Sequence, residues 1–173
     1  MSGKRKKRPY ADAVASYVSR AWPSVIPVIG KGGTGELPTS CTGHDGTVSR
    51  ADRDAWAASK KWGGENVAIW HELTLAFDED TATVDDLRAL LEAERGEPLP
   101  DLAPTWSSTA RGKDSPRRQR FYRLPGAVPK GMRIRSGPLA GTEIPWRGHR
   151  YSVVSPSVHP VSGEGLPLVL ADR

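Results

Sequence analysis

Apolar positions in this chain recur with two periods, and the places where one gives way to the other outline its elements. Tyr10, Val14, Tyr17, Val18 and Ala21 repeat at helical spacing, which predicts an amphipathic helix running to about Trp22 and stopping before Pro23. Val25 to Ile29 is an apolar run of strand length, and Gly30 to Gly46, rich in Gly, Thr and Pro, reads as an ordered loop. Ser49 is placed to cap a second helix, with Asp52 and Asp54 in its first turn and Trp56 and Trp62 as its apolar surface. Val67 to Trp70 and Leu73 to Phe77 read as neighbouring strands joined by a tight turn at His71-Glu72. Thr83 caps a third helix whose apolar face is Val84, Leu87, Leu90 and Leu91, and Gly96 stops it. Thr105 to Thr109, Gln119 to Leu124 and Tyr151 to Ser155 are predicted strands, with Leu166 to Leu170 as a last one. This order predicts an α/β (α+β) fold with a mixed central sheet and flanking helices.

Composition narrows the partners. The 173 residues suffice for one domain with its own core, so the expected organisation is a disordered basic tail over residues 1–9 and a single catalytic domain over 10–173. The single cysteine, Cys41, excludes an internal disulfide framework and a cysteine-based zinc site. No apolar stretch is long enough to span a bilayer, and the basic start leads into an amphipathic helix, so a cytoplasmic protein without a membrane partner is expected. A net charge of +5 favours polyanions. Its distribution says more. From Glu72 to Asp101 ten acids face two arginines, whereas from Arg111 to Arg135 nine Lys or Arg accompany one acid, Asp114. Two solvated faces would give the same pattern, so the chemistry rests on motifs.

The first motif is Asp78-Glu79-Asp80, which closes an apolar strand. Residues two apart on a strand face the same side, so Asp78 and Asp80 point together and can hold one divalent cation or bridge two. The competing reading is a strand-end turn with solvated acids. A third carboxylate is supplied by Glu143, which precedes a predicted strand; otherwise it is a surface glutamate. Ser108 and Arg111, with the run Arg117, Arg118, Arg120 and Arg123, offer hydroxyls and guanidinium forks for a triphosphate. Arg118, Arg120 and Tyr122 share one strand face, opposite Gln119, Phe121 and Arg123. Arg120 is expected to look into the site, Arg118 to lie nearer its rim, and Arg123 to meet solvent or template. Ser157 and His159 share a turn where they can bind a phosphate or a sugar hydroxyl; the alternative is a turn in which Ser157 caps backbone amides and His159 packs.

Taken in order, these residues resemble the bifunctional DNA primase/polymerase (Prim-Pol) domain of the archaeo-eukaryotic primase superfamily. The likeness runs from about Trp22 to Gly163. It is carried by Trp22-Pro23, Thr42-Gly43-His44-Asp45-Gly46, Asn66 to Ile69, Phe77 to Asp80, Ser107 to Arg111, Arg120 to Pro125, Glu143-Ile144 and Tyr151 to Pro160. The resemblance implies a primase core whose catalytic half is similar to an RNA-recognition-motif sheet. It implies Asp78, Asp80 and Glu143 as ligands of Mg²⁺ or Mn²⁺, and Ser108, Arg111 and Arg120 as nucleotide contacts, Arg120 standing where the family often has a histidine. The implied reaction is templated attack of a 3′-hydroxyl on the α-phosphate of a dNTP or rNTP. The implied partners are a single-stranded DNA template and a replicative helicase, separate or fused, in phage, plasmid or mobile-element replication in a bacterial cell. The chain would then be a stand-alone subunit or an N-terminal domain.

Two other classes compete. A noncatalytic single-strand or origin-binding module retaining the fold would rely on Arg117, Arg118 and Arg123, with stacking on Trp106 or Tyr122. A metal-dependent nuclease would use the acids and leave the arginine set without a role.

Overall fold

Helix α1 begins at a proline and is followed closely by a left-handed residue, and both ends follow from what surrounds them. In the structure, a computed structural model, α1 spans Pro9–Ser19 and buries Tyr10, Ala13 and Tyr17. The structure describes residues 8–30, 36–41, 46–79, 82–101, 105–109, 115, 118–126, 142–144, 151–157 and 168–170. Pro9 stands in the first turn, where the N–H it lacks has no helical partner anyway. The Tyr10 and Ala11 amides, left over at the same end, donate to Glu65 O and Gly63 O, each at 3.1 Å. The helix stops earlier than its periodicity predicts because Ala21 turns to φ 62°. That turn sends the Trp22 amide back to Tyr17 O and buries the indole.

Arg8 belongs to this packed region and not to a free tail. Its guanidinium donates to Ala57 O at 2.7 Å and Ser59 O at 3.1 Å, the carbonyl end of helix α2, Arg50–Ala58. A cation there complements the helix dipole and satisfies carbonyls without helical partners. Residues 1–7 lie outside the described residues. Gly63 leaves room for this contact: a Cβ on it would collide with the Arg8 guanidinium and stand 2.8 Å from Ala57 O. Gly63→Ala is therefore expected to destabilise the protein by about 1–3 kcal/mol, measured by urea unfolding, and an unchanged midpoint would show that Arg8 docking is dispensable.

The helix signals in the sequence are local, and the structure contains them. Ser49 and Asp52 exchange side-chain and backbone hydrogen bonds at the start of α2. Thr83 and Asp86 do the same for α3, Val84–Arg95, which ends on Gly96 at φ 73°. Trp56 is buried on α2, whereas Trp62 lies beyond that helix, with Lys61 over its ring.

Among the described residues the strands form two antiparallel sheets in place of one mixed central sheet. The first has β2 (Asn66–Trp70) between β1 (Val25–Val28) and β7 (Tyr151–Val154). The second contains β3 (Thr74–Glu79), β4 (Trp106–Ser108), β5 (Gln119–Arg123), β6 (Thr142–Glu143) and β8 (Leu168–Leu170), in the order β6-β3-β5-β4-β8. The fold class is α+β as expected, but β2 and β3 are not hairpin partners. The chain changes sheets across His71 to Leu73. His71 is fully buried at this crossing, with Nδ1 2.9 Å from Thr74 Oγ1 on β3 and Nε2 2.8 Å from Ser152 Oγ on β7. Its ring thus bridges the two sheets with both nitrogens satisfied, as burial requires.

The core sits mainly on the first sheet. Val25, Ile26, Val28, Val67, Ala68, Ile69, Trp70 and Val154 are buried there, with Tyr10 and Tyr17 of α1 and Trp56 of α2. Ala76 and Phe121 join this cluster from the second sheet, and Phe121 meets Trp22 edge-on at 6.3 Å. Cys41 is fully buried beside it, and burial pushes its thiol up to about 11. Near pH 8 it is a protonated, shielded thiol, so Ellman's reagent is expected to label it only once denaturant unfolds the protein. Labelling of the native protein at the rate of a free thiol would contradict this. No helix among the described residues is long and apolar enough to cross a membrane.

Candidate functional site

The register of the second sheet places four polar residues in one rung. Asp78 on β3 lies directly opposite Glu143 on β6 and, on its other side, opposite Gln119 on β5. Gln119 in turn lies opposite Ser108 on β4. Directly opposed residues share a face, so Asp78, Gln119 and Ser108 form a polar row across three strands, and the backbone register continues this rung to Glu143 on a fourth. Two residues further along the same face are Ala76 and Phe121, which belong to the core. The row therefore stands at the edge of the packed interior, where Asp78 and Gln119 are half-buried.

Within the row, Gln119 Nε2 donates to Asp78 Oδ2 at 2.6 Å. A carboxylate only accepts, which fixes the nitrogen as the end of the amide that faces it. Ser108 is 4% exposed, and its Oγ has no hydrogen-bond partner among the described residues. An orphaned buried hydroxyl costs about 1–3 kcal/mol, a cost that a bound polar ligand would remove.

The opposite face of the sheet belongs to α3. Glu79 is fully buried there and accepts the Val84 amide at 2.8 Å, taking up an amide at the start of that helix. The Arg120 Nε donates to Glu79 Oε2 at 3.0 Å and to Oε1 at 3.2 Å. Phe77 packs edge-on against Tyr122 at 5.7 Å and, with Val84, Leu87 and Leu91, lines an apolar cavity on this side. Arg120 lies opposite Phe77 in the register, on the face away from Asp78, so the expectation that it looks into the site is not met. A carboxylate buried as deeply as Glu79 requires a countercharge, and Arg120 provides it.

The remaining predicted residues divide by location. Arg118 is turned to local partners, donating through Nε and Nη2 to Ser115 O and more weakly through Nη1 to Ser107 Oγ at 3.4 Å. Arg123 is exposed and opposite Thr74, on the Asp78 face but four residues along the strand, about 14 Å away. Ser157 is fully buried against the first sheet, where its Oγ accepts the Val67 amide at 2.7 Å and donates to Val67 O at 2.9 Å. Both hydrogen-bonding functions of that hydroxyl serve the backbone, so Ser157 is not brought to the row. Asp80, Arg111, Arg117 and His159 lie outside the described residues, and Glu143 is placed by its backbone alone.

Two contributors were not legible beforehand. Gln119 is the β5 residue that meets the acid, and Glu79, which alternation turns away from the site, anchors β3 to α3. Phe121 carried the available signal, since it shares Gln119's face and a buried aromatic marks the side turned to the core.

The Asp78 carboxylate is a hard-oxygen group of the kind that suits Mg²⁺ or Mn²⁺, and the backbone of Glu143 lies opposite it in the register. Among the described residues no three His, Cys, Asp or Glu gather into a metal-binding group; the third carboxylate implied by the sequence, Asp80, is outside them. The family model described as bifunctional DNA primase/polymerase, N-terminal (Prim-Pol), matches residues 14–167. No curated protein and no solved structure matches the chain.

Proposed function

From a chain that belongs to the bifunctional DNA primase/polymerase (Prim-Pol) family, we propose a template-directed nucleotidyltransferase that uses Asp78, Asp80 and Glu143 as its metal-binding acids. A 3′-hydroxyl oxygen forms a bond to the α-phosphorus of a dNTP or rNTP, the bond to pyrophosphate breaks, and the hydroxyl proton is lost. The single observation carrying this reading is the cross-strand placement of Asp78 against Glu143, residues far apart in sequence that share one rung. Bound Mg²⁺ or Mn²⁺ supplies positive charge for the attacking and leaving oxygens.

The chain's own residues supply position. Asp78 is held by Gln119, and the Ser108 hydroxyl is available to a phosphate oxygen. Arg111 remains a nucleotide contact by the family resemblance, whereas Arg120, committed to Glu79, is left out of that set. Arg117 and Arg123 are assigned to the template strand. The expected setting is phage, plasmid or mobile-element replication with a helicase as partner.

The test is primer extension on a single-stranded template with Mg²⁺ or Mn²⁺ and each nucleotide class, wild type beside Asp78→Ala/Asp80→Ala. Metal-dependent product absent from the variant is expected. If wild type binds DNA but makes no product with either metal, the noncatalytic binding module becomes the better reading. Arg123→Ala is expected to weaken template binding uniformly across sequences and to lower the slope of log affinity against log salt by about 1, read by fluorescence anisotropy. An unchanged slope would remove Arg123 from the template surface.

A further inference from the structure

We infer that Gln119 is a positioning residue for the metal-binding acids, its side-chain amide orienting the Asp78 carboxylate for the cation. The inference rests on the reading of Asp78 as a metal ligand and deepens it. Gln119 stands between Asp78 and Ser108 in the rung. Its amide is 2.6 Å from the acid, while the Ser108 hydroxyl on its other side has no partner among the described residues. The amide is thus committed to the carboxylate.

A neutral donor suits this place. It occupies one of the carboxylate's several lone-pair positions and restricts rotation about the last side-chain bond. An arginine or lysine there would bring a positive charge that repels the cation the acid is to bind. The Arg120 guanidinium of β5 is held on the opposite face by Glu79. Groups that orient ligating side chains in this way typically change metal affinity by about 10- to 100-fold when removed.

The experiment is Mn²⁺ titration, followed by the electron paramagnetic resonance signal of the free ion, on wild type, Gln119→Met, Gln119→His and Asp78→Ala. Methionine keeps the length of the side chain without its donor, and histidine restores an N–H. We expect Mn²⁺ affinity to fall about 10- to 100-fold in Gln119→Met and to return to within a few-fold of wild type in Gln119→His. Circular dichroism melts identify folded variants, and Gln119→Leu replaces Gln119→Met should the latter not fold. Unchanged affinity in Gln119→Met, with affinity lost in Asp78→Ala, overturns the role of Gln119 alone. Unchanged affinity in Asp78→Ala overturns the metal-site reading beneath it.

Discussion

Asp78→Asn is expected to reduce metal-dependent primer extension on the order of a thousandfold, the scale on which removal of one preorganised electrostatic group acts. The substitution nearly preserves shape. The new side-chain oxygen can still accept from Gln119, so the 2.6 Å contact that ties β3 to β5 has a replacement. What disappears is the negative charge opposite Glu143. Single-strand binding should therefore stay within about threefold of wild type, because phosphates are held by cations that this change does not touch. The check is extension rate and anisotropy on the same preparations. Full activity in Asp78→Asn would remove this rung from the reaction, and a parallel loss of DNA binding would mean that the residue supports the fold rather than the chemistry.

The second large effect concerns stability. Glu79→Ala should cost about 3 kcal/mol, the lower end of what breaking a buried ion pair typically costs, since Arg120 is 24% exposed and water can partly compensate it. Two groups lose a partner at once: the Arg120 guanidinium and the Val84 amide at the start of α3. Replacing both members, as in Glu79→Leu/Arg120→Leu, should recover much of the loss, because an apolar pair leaves no stranded charge. Urea unfolding of Glu79→Leu, Arg120→Leu and the double variant gives the coupling. A fully additive double variant would show that the pair contributes nothing of its own. The same variants decide what Arg120 does. If it serves Glu79, Arg120→Leu lowers stability and leaves the nucleotide KM unchanged at temperatures where the protein is folded; a raised KM would return it to the nucleotide pocket.

Those two residues mark where sequence reasoning succeeds and where it stops. Helix boundaries at Ser49, Thr83 and Gly96 were legible because capping is settled within four residues by hydrogen bonds the sequence itself encodes. Strand alternation was legible too, and it separated Gln119 and Phe121 from Arg120 and Tyr122. Alternation yields two faces without saying which one meets the acids. That depends on β3 pairing with β5 so that Asp78 falls opposite Gln119. The attraction of an arginine for phosphate argued for the wrong side, because the sequence did not reveal that Glu79 would be buried and in need of a cation. Partition into two sheets was hidden for a similar reason. Asn66–Trp70 and Thr74–Glu79 are close in the chain, and nothing local shows that His71 closes the first sheet and opens the second.

The first sheet also carries a consequence for how the protein can be made and cut. Its central strand β2 is complete only when β7 arrives from some eighty residues downstream, with Ala68 opposite Val153 and Trp70 opposite Tyr151. Until then a growing chain on the ribosome, or any fragment truncated before Tyr151, holds β2 against β1 alone. The waiting edge offers apolar residues and unpaired amides to whatever strand comes first, including that of another copy. Truncated chains that end ahead of β7 should accumulate as insoluble material, and a peptide spanning residues 150–157 supplied in trans should compete for that edge and return part of it to solution.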